Sequence, residues 1–217
     1  AIAFLQGLTR LRDANVSMNF GIPVFVFLLF AYELFAKSEK PFENIGWNIT
    51  AIMWIVVPVV LTNRLYFQYG AYFLVALFLL IWIYDSASYA TGSLLGKHPL
   101  MPRISPKKTV EGMIGGIVFT LGFAFFFNKC TYLGQFSRVE WLIFALVVIV
   151  ASTFGDLVES MLKRSLAIKD SGSIMPGHGG FLDRFDAYFF TVPFMLSVLW
   201  LLAQIRNMLL IMDYLNH

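Results

Sequence analysis

The feature that most constrains this chain is a series of long apolar blocks separated by shorter polar connections. A hydrocarbon core about 30 Å thick takes roughly 20 residues of helix to cross. Apolar stretches near that length occupy residues 20–36, 45–62, 71–90, 112–128, 139–158 and 187–212. Of the 217 residues, 59% are hydrophobic and 13% are charged, against about 25% charged in a soluble domain. The sequence therefore predicts an all-α fold, a polytopic transmembrane helical bundle with about six spans.

The start of the sequence does not resemble a secretory leader. Ala1 to Leu8 is an apolar stub that has neither a basic leader nor a small-residue cleavage motif. We expect this stub to be the tail of a helix whose earlier part is missing, so that the N-terminus is shortened.

The charge balance and the cysteine content argue against two kinds of protein. A net charge of +3, from 16 Lys and Arg against 13 Asp and Glu, is too small to indicate nucleic-acid binding by bulk charge. The lone cysteine, Cys130, cannot form an intramolecular disulfide, and no matched Cys or His cluster indicates a zinc site. We therefore expect no nucleic-acid partner.

Two polar connections, residues 91–111 and 159–186, are longer than the others and fall on the same side when the crossings are counted. With residues 37–44, that side carries ten basic residues, namely Lys37, Lys40, Lys97, Arg103, Lys107, Lys108, Lys163, Arg164, Lys169 and Arg184. The other side carries six, namely Arg10, Arg12, Arg64, Lys129, Arg138 and Arg206. The positive-inside bias predicts that both polar connections face the cytoplasm.

The end of the fifth apolar stretch carries the first candidate for chemistry. Asp156, Glu159, Ser160 and Lys163 follow the spacing i, i+3, i+4 and i+7, so a continuous helix places them on one face. A carboxylate at the end of a transmembrane helix is costly unless it is paired, hydrated or bound to a metal. Asp156 is therefore a candidate functional residue.

Further carboxylates follow a glycine-rich segment. If the sixth helix begins near Asp183, then Asp183 and Asp186 lie one turn apart at its N-terminus, where Asp156 can converge on them. Three carboxylates around one point repel one another without a cation, and hard oxygen ligands favour Mg²⁺. The alternative is that these acids form membrane-surface salt bridges with Lys163, Arg164, Lys169 and Arg184.

The earlier polar connection adds a second set of candidates. Asp85 shares a helical face with Trp82, Ser86 and Tyr89, so its carboxylate can point toward the same polar site. The run Ser105–Gly112 contributes Lys107, Lys108 and Glu111. We expect Gly112, Gly115 and Gly116 to allow close packing of helices rather than to bind phosphate.

The charged run between residues 160 and 186 resembles the signature of the phosphatidate cytidylyltransferases, also called CDP-diacylglycerol synthases. The matching residues are Ser160, Lys163, Arg164, Lys169, Asp170, Gly172, Pro176, His178, Gly179, Gly180, Phe181, Asp183, Arg184 and Asp186. Met175 departs from the Leu, Ile or Phe common in the family, which is a near-isosteric change. Asp85 after Trp82, and the Ser-Pro-Lys-Lys-Thr-x-Glu-Gly run at residues 105–112, are also similar to that family.

The resemblance covers residues 71–200 and implies a reaction. CTP and phosphatidic acid would give CDP-diacylglycerol and pyrophosphate in a multi-pass membrane enzyme, in the inner membrane if the source is bacterial. It also implies a homodimer. We expect N-terminal transmembrane helices over residues 1–70 and a catalytic transmembrane domain over residues 71–217, with further helices usual in the family before this point.

The resemblance also implies roles for the candidate residues. Mg²⁺ is expected at Asp156, Asp183 and Asp186, with Ser160 bonded to a substrate or ligand. His178 is expected to shape the glycine-rich turn. The phosphates are expected to be neutralised by Lys107, Lys108, Lys163, Arg164, Lys169 and Arg184. A secondary group is expected either to orient these bases or to hold a second cation, and it comprises Asp85, Glu111, Glu159 and Asp170.

Other membrane functions remain open at this point. A CTP-dependent polyprenol kinase would use the same nucleotide, and an ion-coupled transporter would also place carboxylates near helix breaks. A CDP-alcohol phosphotransferase is disfavoured because the chain lacks that family's longer array of aspartates. The clustering of polar residues toward one membrane face argues against the transporter.

Overall fold

The computed structural model describes residues 23–127, 129, 134–168, 180 and 182–216. The helices are α1 Pro23–Ala36, α2 Pro41–Ala51, α3 Val57–Tyr69, α4 Ala71–Leu95, α5 Val110–Phe127, α6 Arg138–Ser165 and α7 Leu182–Asn216. A π-helical turn, Ile52–Val56, lies between α2 and α3, and two short strands, β1 Pro99–Met101 and β2 Ser105–Thr109, lie between α4 and α5.

Within the described part of the chain, five helical segments are long and apolar enough to cross a membrane, in agreement with the predicted polytopic helical bundle. They are Pro41–Tyr69, Ala71–Leu95, Val110–Phe127, Arg138–Ser165 and Leu182–Met212. The remaining predicted span, residues 20–36, corresponds to α1, which is apolar but shorter. Several helices continue past the predicted limits: α6 runs to Ser165 instead of residue 158. The reason is that its polar end pairs with other charged side chains, so the helix does not stop where hydrophobicity falls.

Backbone contacts divide the chain into two compact units, and the boundary in the sequence lies between Val56 and Val57. In the first unit Ile45 is buried, and the rings of Phe30 and Phe42 pack edge to face at 6.5 Å. The second unit holds α3 to α7 and both strands. This division by compactness does not test the functional division into residues 1–70 and 71–217, which stays a prediction.

In the second unit α4 packs against α5, α5 against α6 and α6 against α7. One end of this bundle is filled by aromatic rings. The Phe73 ring lies 5.4 Å from Phe136, 6.0 Å from Trp141 and 5.7 Å from Phe144. Asp85 lies 12 residues further along α4, about 18 Å away along a helix. The apolar core therefore anchors one end and leaves the other for polar groups.

Glycines on α5 allow it to lie close to α4, as predicted. A Cβ on Gly115 would lie 2.2 Å from Thr91 Oγ1, and one on Gly116 would lie 2.1 Å from Ser88 Oγ. Thr91 also donates a hydrogen bond to the Gly112 carbonyl across the interface, at 3.2 Å. The close packing of α4 and α5 thus requires residues without side chains at Gly115 and Gly116.

The connection between α4 and α5 forms a β-hairpin that the sequence analysis did not predict. Pro99 pairs with Thr109 and Met101 with Ser105 in antiparallel register. The strands have three and five residues and carry no clear alternation of apolar and polar side chains, so the usual signal for a strand is missing. The hairpin places β2, with its two lysines, beside the polar end of the bundle.

Replacing Gly116 by Leu is expected to lower the free energy of unfolding by about 1–3 kcal/mol, the usual cost of overpacking. The reason is that even its Cβ would lie 2.1 Å from Ser88 Oγ and 2.8 Å from the Tyr84 ring. Gly122 on the same helix has nothing within 4 Å of its Cβ position, so Gly122→Leu is the matched control. Thermal unfolding in detergent measures both variants, and equal Tm values would contradict this account of the interface.

Candidate active site

A cavity of about 580 Å³ lies at the polar end of the second unit, where the β-hairpin meets α4, α6 and α7. Its charged lining residues are Asp85, Lys107, Lys108, Asp156, Glu159, Lys163, Asp183 and Asp186. These residues come from both polar connections and from the helices beside them. The structure therefore brings together the two sets of candidates that lie about 50 residues or more apart in the sequence.

Three carboxylates form a compact acidic cluster in this cavity. Asp156 and Glu159 lie one turn apart on α6, and Asp186 lies on the facing α7, with one oxygen of each within 4.8 Å of the others. Gly155 makes this approach possible, because a Cβ there would lie 2.9 Å from the Asp186 carbonyl oxygen. The sequence pattern predicts that Asp156 and Asp186 lie close together, but it indicates no role for Gly155.

Glu159 is the most enclosed member of the acidic cluster. The residue is 1% exposed, and its Oε2 lies 3.4 Å from Lys163 Nζ. Its other oxygen, Oε1, is buried without a hydrogen-bond partner among the described residues. A buried, unpartnered carboxylate oxygen is costly, and two neighbouring carboxylates increase that cost. Hard oxygen donors gathered in this way suit a divalent cation such as Mg²⁺.

Asp183 lines the same cavity but has a different set of partners. Its Oδ1 accepts a hydrogen bond from Lys163 Nζ at 2.7 Å, and its Oδ2 accepts one from the Gly180 backbone N–H at 2.7 Å. Asp183 lies in the first turn of α7, where free backbone N–H groups favour a carboxylate. Its predicted place among the metal ligands remains a prediction, since these contacts concern a lysine and a backbone donor.

The basic side chains divide into those at the cavity and those outside it. Lys108 forms an ion pair with Asp156, and Ser160 Oγ donates to Asp156 Oδ1 at 3.3 Å. Arg164, in the last turn of α6, and Arg184, in the first turns of α7, are exposed. Neither arginine is among the described residues that line the cavity.

A polar contact between α4 and α6, which the sequence analysis missed, lies beside the acidic cluster. The hydroxyls of Tyr84 and Thr153 lie 2.5 Å apart. Thr153 also donates to the Ile149 carbonyl at 2.7 Å, so Tyr84 is the donor to Thr153. This bond fixes Asp85, the next residue on α4, relative to Asp156 on α6. The available signal in the sequence was that Tyr84 and Thr153 each place a hydroxyl group within an otherwise apolar helix.

Glu111 does not line the cavity but lies at the base of the hairpin. Its Oε2 accepts hydrogen bonds from the backbone N–H groups of Lys97 and His98, at 3.1 and 3.2 Å. Its Oε1 lies 2.6 Å from His98 Nδ1. The sequence pattern predicts a role for Glu111 but none for His98, because an isolated histidine carries no pattern.

Three of the predicted site residues, Lys169, Asp170 and His178, lie outside the described residues. Their proposed roles in phosphate binding, in orienting bases and in shaping the glycine-rich turn therefore stay predictions.

Comparison with known proteins supports the interpretation of this cavity. The sequence model of the Cytidylyltransferase family matches residues 2–202. A phosphatidate cytidylyltransferase of Bacillus subtilis (strain 168) is 40% identical over 180 residues, which cover 82% of this chain and 66% of the relative. One of Staphylococcus haemolyticus (strain JCSC1435) is 37% identical over 174 residues, covering 77% and 64%. One of Staphylococcus aureus (strain COL) is 33% identical over 169 residues, again covering 77% and 64%.

These matches span most of this chain and about two thirds of the length of the relatives. The match to the family model includes α4, the β-hairpin, α5, α6 and the first part of α7, and these elements carry the acidic cluster and its lysines. Since the family match extends over nearly the whole sequence, this chain belongs to the cytidylyltransferase family.

Proposed function

We propose that this chain transfers a cytidylyl group from CTP to phosphatidic acid, giving CDP-diacylglycerol and pyrophosphate. The observation that carries the proposal is the meeting of carboxylates and lysines from four structural elements in one cavity of a membrane-type helical bundle. The relatives named phosphatidate cytidylyltransferase support the choice of substrates. Because the chain spans about two thirds of their length, the complete activity is proposed here from the site.

The reaction places particular demands on such a site. An oxygen of the lipid phosphate attacks the α-phosphorus of CTP, a new P–O bond forms, and the bond from that phosphorus to the bridging oxygen breaks. The attacking oxygen is already ionised at neutral pH, so no strong general base is needed. The site must instead bring two polyanions together and stabilise charge on the departing pyrophosphate.

Three lysines are placed to meet this demand. Lys107 and Lys108 reach the cavity from β2, and Lys163 reaches it from α6. Asp183 and Glu159 hold Lys163 in place, at 2.7 and 3.4 Å. Because the Lys163 ammonium group is already held in position, it needs little reorganisation when charge develops on the phosphates. In this proposal Asp183 positions Lys163, and the lysines neutralise phosphate oxygens.

The acidic cluster is our proposed site for Mg²⁺. Asp156, Glu159 and Asp186 would hold the ion, and the buried, unpartnered Glu159 Oε1 supports that role. When bound, Mg²⁺ would neutralise phosphate charge and favour departure of pyrophosphate. Asp85, which lines the cavity from α4, stays the candidate for a second cation or for orienting a lysine.

We further propose that this polar end faces the cytoplasm. The support is the excess of Lys and Arg in the connections on this side, ten against six, together with the positive-inside rule. CTP is available in that compartment. The lipid bilayer supplies phosphatidic acid from the side, and a homodimer remains an expectation from the resemblance alone.

The reaction is tested by product analysis on the purified chain in phosphatidic acid micelles with Mg²⁺. We expect pyrophosphate release from CTP that depends on phosphatidic acid, with one CDP-diacylglycerol formed per pyrophosphate. A lipid kinase would release CDP instead, and a transporter would release neither product. Either of those outcomes would overturn the proposed transfer.

The Mg²⁺ site is tested by comparing two aspartates of α7. Asp186→Asn should lower turnover by at least about 100-fold, since even groups that merely orient a metal ligand cost roughly 10–100-fold. It should also raise the Mg²⁺ concentration for half-maximal activity. Asp183→Asn should lower turnover while leaving that Mg²⁺ concentration unchanged, because the described hydrogen bonds of Asp183 include one from Lys163 and one from the Gly180 N–H.

Glu43→Gln is the control for these charge changes, since Glu43 is exposed on α2. It should leave turnover at the wild-type level. If Asp183→Asn shifts the Mg²⁺ requirement as Asp186→Asn does, then Asp183 is itself a ligand. If neither variant shifts it, the acidic cluster does not hold the ion.

The orientation is tested with single cysteines in a chain carrying Cys130→Ser. Arg103 lies in the exposed turn of the hairpin, and Gln135 is exposed before the start of α6, at the other end of the bundle. In intact cells an impermeant maleimide should label Gln135→Cys and should label Arg103→Cys only after permeabilisation. The reverse labelling pattern would contradict a cytoplasmic site.

A further inference from the structure

We infer that Glu111 is a positioning residue that holds the β-hairpin, and with it Lys107 and Lys108, at the cavity. This role goes beyond the proposed function by assigning a residue that lines no part of the cavity. The effect expected on the KM for CTP rests on the proposed function, whereas the effect expected on protease cleavage of the hairpin can be measured independently.

The Glu111 carboxylate accepts its hydrogen bonds where the chain leaves α4 and enters β1. The backbone N–H of Gly96 still bonds to the Gly92 carbonyl within the last helical turn, at 3.0 Å. The next two N–H groups, those of Lys97 and His98, point to Glu111 Oε2 at 3.1 and 3.2 Å. These groups lie between the last helical bond and the start of the strand ladder, so they need an acceptor from elsewhere.

Further hydrogen bonds at the base of the hairpin show that the Glu111 contacts belong to a larger hydrogen-bonded network. The Val110 N–H donates to the His98 carbonyl at 2.9 Å, which closes the hairpin next to Glu111. The Gly112 N–H donates to Thr109 Oγ1 at 3.1 Å and so caps the start of α5. Through the Glu111 carboxylate, the first turn of α5 is hydrogen-bonded to the segment before β1.

The hairpin needs such an anchor because it is small. Strands of three and five residues form a two-stranded sheet, and an isolated hairpin of this kind is marginally stable at best. Lys108, which precedes Thr109 at the base of the hairpin, forms an ion pair with Asp156 on α6. Without the Glu111 anchor, Lys107 and Lys108 would have to be ordered each time the polyanionic substrate binds, and that ordering weakens apparent affinity.

The same contacts argue against a direct role for Glu111 in holding a cation. Both of its oxygens face donors, namely two backbone N–H groups and the His98 ring. It is absent from the described lining of the cavity, where Asp156, Glu159 and Asp186 converge. Of the two roles open to Glu111 from the sequence, the geometry favours orientation of the basic residues.

The test compares Glu111→Ala with wild type in the full purified chain. Trypsin should cut the folded variant faster at the basic residues of the hairpin region, which are Lys97, Arg103, Lys107 and Lys108. The KM for CTP should rise by about 10-fold if the hairpin is in place a tenth of the time, since apparent affinity scales with the competent fraction. The Mg²⁺ concentration for half-maximal activity should stay unchanged. Glu111→Gln, which keeps one acceptor oxygen and the side-chain volume, should restore much of the wild-type behaviour and serves if the alanine variant does not fold.

Glu140→Gln is the matched control. Glu140 also accepts a backbone hydrogen bond at a helix start, from the Ser137 N–H at 2.8 Å, and it pairs with Arg206. It lies at the start of α6, at the other end of the bundle from the cavity. This variant should lower Tm without changing hairpin cleavage or the KM for CTP.

The outcomes separate the inference from the proposed function. Unchanged trypsin cleavage and an unchanged KM for CTP in Glu111→Ala would overturn the positioning role. A shifted Mg²⁺ requirement in that variant would also overturn it, in favour of a cation ligand. If wild type released no pyrophosphate from CTP, the proposed function would fail, and faster hairpin cleavage in Glu111→Ala would still support the anchor.

Discussion

Carboxylates gathered at the end of a helical bundle repel one another, and the polar half of this structure depends on how that repulsion is offset. Asp156, Glu159 and Asp186 lie close enough to share one ion, in surroundings where unpaired charge is costly. Lys108 and Lys163 supply positive charge from two different elements. The hairpin, α6 and α7 are thus linked by charges that no one of these elements could accommodate alone. If the site receives two polyanions, as we propose, it needs cations of this kind, and the same arrangement then serves both folding and chemistry.

Small side chains make that arrangement sterically possible. Gly155 lets α7 approach the face of α6 that carries Asp156, and Gly116 lets α5 approach α4 beside Tyr84. At the other end, Phe73, Trp141 and Phe144 fill the core with large rings. Bulky aromatic side chains therefore fill the space between the helices at one end of the bundle. Near the cavity, glycines allow the helices to pack more closely. This gradient in side-chain volume allows charged groups from separate helices to converge where the aromatic core ends.

The sequence predicted the helical bundle and the residues of the cavity well, and it predicted their partners poorly. Long apolar blocks and the resemblance together identified Asp85, Lys108, Asp156 and Asp186, because residue type and spacing carry that information. The β-hairpin was missed, since its strands are too short for a periodic pattern. The Tyr84–Thr153 bond joins residues 69 positions apart, and helical periodicity describes one helix at a time. Contacts between helices depend on rotation and distance, which a single sequence does not specify.

The contrast between Asp183 and Asp186 shows why spacing alone could not assign roles. Residues three apart on a helix lie on nearly the same face, about 60° from one another, so the sequence treats the two as equivalent. Asp183 lies in the first turn of α7, where its carboxylate receives the Gly180 N–H and Lys163. Asp186 lies one turn later, against Gly155 of α6, where its Oδ1 accepts a hydrogen bond from the Ala187 N–H at 2.6 Å and the carboxylates of Asp156 and Glu159 lie nearby. Position relative to the helix start, together with the glycine opposite, separates a residue held by Lys163 and a backbone N–H from one that lies beside two other carboxylates, where we propose that Mg²⁺ binds.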